Sequence, residues 1–181
     1  MKYLIFALLL SFTARAQVRL PTNETGQVQY QEVVRIGDGK LPARQVFDRT
    51  QTWAGQRYPA ANEAERHLDQ QHGILFVRAV LPLGDQSVRY TLTVEARIGR
   101  YRATITDLVD ESDALLLPLR PASSTAEDIR RTAGGTAKDS SVIGQLARQQ
   151  ADFYRRLDDT CRATLASLKK AMTAPPTAGG R

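Results

Sequence analysis

Few residues in this sequence could do acid–base or metal chemistry. His67 and His72 are its only histidines, and they lie five positions apart in a polar stretch that also contains Asp69. A protein metal site needs three or four ligands in fixed geometry, and histidines in a polar stretch are typical of solvent-exposed side chains. No serine stands in the glycine-flanked motif of a hydrolase nucleophile. We therefore predict no catalytic residue, no bound metal and no cofactor.

Arginine is the polar residue type with the clearest pattern. Arg35, Arg89, Arg97 and Arg102 alternate with hydrophobic residues, and Arg78 lies within a neighbouring hydrophobic run. Alternate side chains of a strand lie on one face of a sheet, so we expect these five arginines to share a face. Guanidinium groups bind carboxylates and phosphates. The five residues are therefore candidates for binding an anion or a partner, the alternative being an ordinary solvated sheet face.

Three of these arginines are expected to lie close together. Neighbouring strands are about 4.8 Å apart, which would bring Arg89, Arg97 and Arg102 within reach of one anion. Clustered like charges are unfavourable unless carboxylates such as Glu95 or a bound anion compensate them.

The overall charge limits the kind of partner. The chain has 25 Lys and Arg against 19 Asp and Glu, a formal net charge of +6. The basic residues are dispersed, whereas nucleic-acid-binding arms concentrate them in runs. We expect no nucleic acid as partner, and an acidic protein or an anionic envelope polymer fits better.

Cys161 is the only cysteine. It excludes a disulfide within one chain, so the fold must depend on a hydrophobic core. Cys161 lies on the apolar stripe of a predicted helix, which favours a buried thiol.

Alternating hydrophobic residues predict the strands. The clearest alternation runs from Val88 to Ala96 and resumes at Tyr101 after the turn Ile98-Gly99-Arg100, which indicates an antiparallel hairpin. Residues 26–36 alternate in the same way, and 74–81 form a hydrophobic run typical of an interior strand. Residues 62–68 favour a ragged edge strand, with a helix as the open alternative.

Two segments have the spacing of amphipathic helices. Hydrophobic residues recur every three or four positions from Ala43 to Arg57 and from Ile143 to Met172. Each helix has one apolar stripe that must be covered. The sequence thus predicts an α+β fold, with an antiparallel sheet of four to five strands covered by helices on one face, in the order β-α-β-β-β-α.

The amino-terminal segment has the pattern of a secretory signal peptide. Lys2 precedes a short apolar run, and Ala14-Arg15-Ala16 offers the small residues of a cleavage site. The apolar run is shorter than the roughly 20 residues of a membrane span. We therefore expect no transmembrane segment after signal removal, and a periplasmic or secreted protein.

The predicted organisation has five parts. They are a signal peptide at 1–16, an α+β domain at 17–110, an irregular linker at 111–140, an amphipathic helix packed on the domain at 141–172, and a disordered tail at 173–181.

Several of these features together resemble a known family. They are Leu20-Pro21 with Gly26, the strand ending at Ile36, the helix containing Trp53, Asp69 to Gly73 before a strand, and the hairpin around Gly99-Arg100-Tyr101. This set resembles domain-of-unknown-function family 4468 over roughly residues 20 to 110. The resemblance implies a TBP-like fold and export from a bacterium, and it implies no activity. DNA binding does not follow from it, because function resides in sites rather than in folds.

The function that fits these observations is that of an exported, non-catalytic binding or interaction module. The alternative is an enzyme, such as a hydrolase, whose site residues come from distant positions.

The signal peptide can be tested by mass. We predict that the protein recovered from the envelope or the medium begins at or near Gln17, because a signal peptidase cuts after Ala16. Intact-mass spectrometry would measure this, and a recovered chain that keeps Met1 would contradict it.

Overall fold

The computed structural model describes residues 17–59, 64–111, 116–132 and 140–174. In chain order the elements are β1 (Tyr30–Arg35), α1 (Ala43–Arg57), β2 (Glu65–Asp69), β3 (Ile74–Leu83), β4 (Gln86–Arg97), β5 (Arg100–Asp110), β6 (Leu117–Pro118), α2 (Ala126–Thr132) and α3 (Ser140–Thr173). The predicted signal peptide and most of the predicted tail lie outside these residues.

The strands form one antiparallel sheet in the order β1-β5-β4-β3-β2, and β6 extends it by pairing with β5. This confirms the predicted α+β class with its antiparallel sheet. The uncertain segment at 62–68 contributes the edge strand β2, which pairs with β3. Its first residues lie outside the described part of the chain.

Helices α1 and α3 cover one side of the sheet, which we call the inner face. Tyr90, Leu92 and Val94 of β4 lie on this face and are almost completely buried. They join one hydrophobic core with Trp53 of α1 and Leu157 of α3. Strand side chains alternate between the two faces, so the residues between these core positions lie on the opposite side, the outer face.

Polar contacts also join the two helices to the rest of the fold. The Trp53 indole N–H donates a hydrogen bond to the Ser167 hydroxyl, which links α1 to α3. Lys169 of α3 pairs with Glu32 of the edge strand β1 at 2.9 Å. None of the described helices is long and apolar enough to cross a membrane.

Within the range predicted as an irregular linker, the described residues 116–132 contain β6 and α2, two elements that the sequence did not lead us to expect. Helix α2 begins after Thr125, whose hydroxyl accepts a hydrogen bond from the backbone N–H of Asp128 at 3.1 Å. The Asp128 carboxylate in turn accepts the backbone N–H of Thr125 at 2.9 Å. This reciprocal capping satisfies N–H groups that the first turn leaves unpaired. It is a local signal that the prolines and serines before it obscured.

Cys161 is fully buried, as the helical spacing predicted. Burial raises the pKa of its thiol from 9.0 to about 12, and the negative charge of Asp158 adds to this. A further polar contact in the core joins the hydroxyls of Tyr58 and Tyr90 at 2.8 Å.

The core assignment of α3 leads to a stability prediction. Leu157→Ala should lower the free energy of unfolding by about 2–5 kcal/mol, because it leaves a cavity among fully buried neighbours. Leu146→Ala on the same helix is the matched control, since Leu146 is 47% exposed and surface changes are usually within about 0.5 kcal/mol. Urea unfolding would measure both, and equal midpoints would show that α3 is not part of the core.

The buried thiol leads to a prediction of pH dependence. The unfolded chain loses the Cys161 proton near pH 9.0, whereas the folded chain keeps it until about pH 12. Because the folded state then binds more protons, stability is complete below pH 9 and falls as the pH rises towards 12. The loss should reach about 1 kcal/mol by pH 10. Cys161→Ala should have a flatter profile between pH 9 and 10, and an unchanged slope would contradict the assignment.

Candidate functional site

The outer face of the sheet is mainly polar and exposed. Directly paired residues of β4 and β5 on this face are Thr91 with Thr106, Thr93 with Thr104, and Glu95 with Arg102. Hydrophobic side chains also reach solvent here, with Val33 59% and Phe76 37% exposed. A hydroxyl-rich surface with a few exposed hydrophobic groups is suited to contact with another molecule.

Three arginines from three adjacent strands lie side by side at one end of the outer face. Arg100 of β5 is opposite Arg97 of β4 on one side and opposite Arg35 of β1 on the other. All three are exposed. Strands are about 4.8 Å apart, so this arginine row of Arg35, Arg100 and Arg97 spans about 10 Å.

One carboxylate adjoins the arginine row. Glu95 Oε2 accepts a hydrogen bond from Arg102 Nη2 at 2.8 Å and lies 3.6 Å from Arg97 Nη2. The hydrogen bond from Arg102 to Glu95, together with the negative charge of Glu95, raises the pKa of Arg102. The four arginines and Glu95 together carry a surplus of three positive charges.

The arginines differ in how many contacts they make with the rest of the protein. Arg97 Nη1 donates to the backbone carbonyls of His72 at 3.0 Å and Ala96 at 3.2 Å, which holds its guanidinium group at the end of the sheet. Arg35 and Arg100 form no ion pair with a carboxylate of the described residues. A concavity of about 240 Å³ lies at this end, and its lining consists of Val33, Glu95, Arg97, Arg100, Tyr101 and Arg102.

The structure separates the five arginines that the sequence placed together. All five lie on the outer face, but Arg89 precedes Arg97 by eight positions on the same strand, which is about 26 Å. Arg89 forms an ion pair with Glu111, and Arg78 lies 3.4 Å from Glu65. The expectation that Arg89, Arg97 and Arg102 meet at one anion is therefore wrong, and only Arg35, Arg97 and Arg102 lie at the same end.

Arg100 was not among the predicted site residues. It was assigned to the turn between the two strands, whereas β5 begins at Arg100, which pairs with Arg97 across the two-residue turn Ile98-Gly99. Gly99 was the sequence feature that could have predicted the shorter turn. Its φ is +62°, and a glycine in this conformation permits a two-residue hairpin loop. The shorter turn adds Arg100 to the strand.

The two histidines do not assemble a site. His67 is on the outer face, where its ring lies 6.3 Å from that of Phe76. His72 Nδ1 lies 2.8 Å from Asp69 Oδ2, within one turn, and the His72 side chain is 69% exposed. Hydrogen bonds from the backbone N–H and then the ring of His72 lower the pKa of Asp69. Within the described residues, no group of three His, Cys, Asp or Glu could hold a metal ion.

Two solved structures share this arrangement of sheet and helices. One is a TBP-like protein from Parabacteroides distasonis, with a TM-score of 0.52 and 17% identity over 82% of this chain and 96% of that one. The other is a protein of domain-of-unknown-function family 4468 from Bacteroides ovatus, with a TM-score of 0.59 and 15% identity over 88% of this chain and 94% of that one. The chain has a TBP-like fold.

This likeness confirms the predicted resemblance to family 4468 at the level of the fold. No protein-family model matches the sequence, and no curated protein matches it. A TBP-like fold specifies a scaffold and leaves the function to the site that it carries. The outer face of the sheet is the part of this scaffold that carries the candidate site.

Proposed function

We propose that the mature protein is an exported, non-catalytic binding module, and that the outer face of its TBP-like sheet is the binding surface. The partner is an acidic protein or an anionic envelope polymer. The observation that carries the proposal is the surplus of three positive charges at the end of the sheet, where four arginines lie near a single carboxylate, Glu95, that pairs with two of them.

The arrangement of charges supports an anionic partner. Like charges directly opposite each other on neighbouring strands destabilise a sheet, and Arg100 has arginine on both sides. Elsewhere on the outer face each arginine has its own carboxylate, Glu65 for Arg78 and Glu111 for Arg89. An anionic partner would compensate the surplus, and guanidinium groups would offer it several hydrogen bonds at once.

Export is part of the proposal and is supported by the pattern of residues 1–16. Exported proteins are often stabilised by disulfides, which this chain cannot form within itself. The hydrophobic core of the described residues is large enough to keep the domain folded without them. Export would also restrict the anionic partner to molecules found outside the cytoplasm.

An enzyme, such as a hydrolase, is the second candidate, and the pair of Asp69 and His72 is what favours it. A carboxylate that orients a histidine is a part of many hydrolytic sites. Here the pair lies in an exposed turn, and no hydroxyl or thiol of the described residues forms a hydrogen bond with the His72 ring. The same contact closes the turn between β2 and β3, which explains it without catalysis.

A pull-down from envelope extract tests the binding proposal. The double variant Arg35→Glu and Arg100→Glu should lose partners that the wild-type protein retains, because it reverses the charge of the two arginines that have no carboxylate partner. Retained partners should also be released as the salt concentration rises. Thermal unfolding would establish that the variant is folded.

The matched control is the double variant Arg78→Glu and Arg89→Glu, which changes the net charge equally on the same face. It should keep the partners of the wild-type protein. If the Arg35/Arg100 variant retains the same partners as wild type, the outer face is not the binding surface. Equal losses from both variants would mean that total charge, rather than its position, holds the partner.

A further inference from the structure

The arginine row has the charge and geometry of a site for one type of anion. Its three arginines come from three adjacent strands whose backbones together span about 10 Å. Arg102 is the next outer-face residue of β5 after Arg100. Glu95 is already shared by Arg97 and Arg102. The groups of Arg35 and Arg100 therefore remain available on the exposed side of the row.

The excess charge distinguishes between possible ligands. A carboxylate carries one negative charge and two oxygens in a plane, so it would leave two of the three surplus charges uncompensated. A phosphate ester carries a charge of about −1.5 to −2 at pH 7 and has three acceptor oxygens. Its tetrahedral oxygens can accept hydrogen bonds from guanidinium groups that approach from different strands.

The shape of the surface is compatible with such a group. The concavity of about 240 Å³ beside the row is lined by Val33 and Tyr101 as well as by charged residues. A site of this kind accommodates a single tetrahedral group that projects from a larger molecule, while the rest of that molecule lies along the half-buried threonines of the outer face.

We propose that Arg35, Arg97, Arg100 and Arg102 bind a tetrahedral dianion, a phosphate monoester borne by the partner. This inference rests on the proposed function and specifies the chemical group that the binding surface recognises. Arg35 and Arg100 contact the anion directly. Arg97 and Arg102 contribute donors from one edge, and Glu95 holds their guanidinium groups in position.

Isothermal titration of the full-length mature protein with inorganic phosphate, sulfate and acetate, at constant ionic strength, tests the proposal. We expect both tetrahedral dianions to bind and acetate to bind at least tenfold more weakly, because it compensates less of the charge. Inorganic sulfate serves as a second probe of shape and charge, because it is a tetrahedral dianion like a phosphate monoester. Acetate binding as tight as phosphate and sulfate, or no binding of either dianion, would overturn the proposal.

The variant Arg100→Thr locates the site. It should weaken phosphate and sulfate binding about tenfold through loss of a charge-assisted pair of hydrogen bonds. Without an added anion its melting temperature at low salt should equal or exceed that of the wild-type protein, because a like-charge contact with both neighbouring strands is removed. A merely structural arginine would instead lower the melting temperature.

Arg78→Thr is the control, since Arg78 lies on the same face but outside the row. Its phosphate and sulfate affinity should match the wild-type value. Equal affinities for wild type and Arg100→Thr would overturn the assigned site. If the pull-down variant Arg35→Glu and Arg100→Glu loses its partner while neither dianion binds, the binding module stands and the dianion site does not.

Discussion

The burial of alternate side chains of β4 and β5 against α1 and α3 is the constraint on which the structure depends. The inner face of the sheet is buried, and its β4 residues are Tyr90, Leu92 and Val94. They belong to the same hydrophobic core as Trp53 of α1 and Leu157 of α3. Burial of such groups contributes about 1.5–3 kcal/mol for each large side chain. Once the inner face is chosen, every intervening residue of these strands must point outward, and the arginines are displayed as a consequence of packing on the other side.

The turn between β4 and β5 determines where the arginines of the outer face lie closest together. Gly99 packs against the β1–α1 loop so closely that an added Cβ would lie 1.9 Å from the carbonyl oxygen of Gly39. Its N–H donates to the Leu41 carbonyl, and its own carbonyl accepts the N–H of Ile36, both at 2.8 Å. The loop thereby holds the turn and keeps β1 alongside β5. A local backbone constraint thus brings arginines from three strands into one row.

Other charged groups of the chain form one-to-one ion pairs. Arg162 lies within 2.9 Å of Asp158 on one helix, and Lys169 is paired with Glu32 between helix and sheet. Exposed pairs of this kind contribute little stability, about 0–1 kcal/mol, but they leave no strong local field. The arginine row differs because Glu95 pairs only with Arg97 and with the neighbouring Arg102, whereas Arg35 and Arg100 have no carboxylate partner among the described residues. The resulting positive field attracts anions over a range of about 8–10 Å at physiological salt.

Side-chain periodicity is a local property, and it was enough to predict the two sheet faces and most of the elements. The alternation around Tyr90 predicted the hairpin, and the spacing around Cys161 predicted both α3 and the buried thiol. The sheet class followed from the same patterns, whereas the resemblance to family 4468 rested on motifs such as Leu20-Pro21 and Gly99-Arg100-Tyr101. Helix α2 was missed although its Thr125–Asp128 capping signal is local.

The tertiary structure decided which neighbours meet. Periodicity placed Arg89 and Arg97 on one face, and their eight-position spacing along one strand already separates them by about 26 Å. The opposition of Arg35, Arg100 and Arg97 depends on strand order and register, and β1 reaches β5 only after 64 intervening residues, from 36 to 99. No local pattern specifies a contact over that separation. It arises because the whole inner face must be buried at once, and a shift of register by one residue would turn the hydrophobic side chains to solvent.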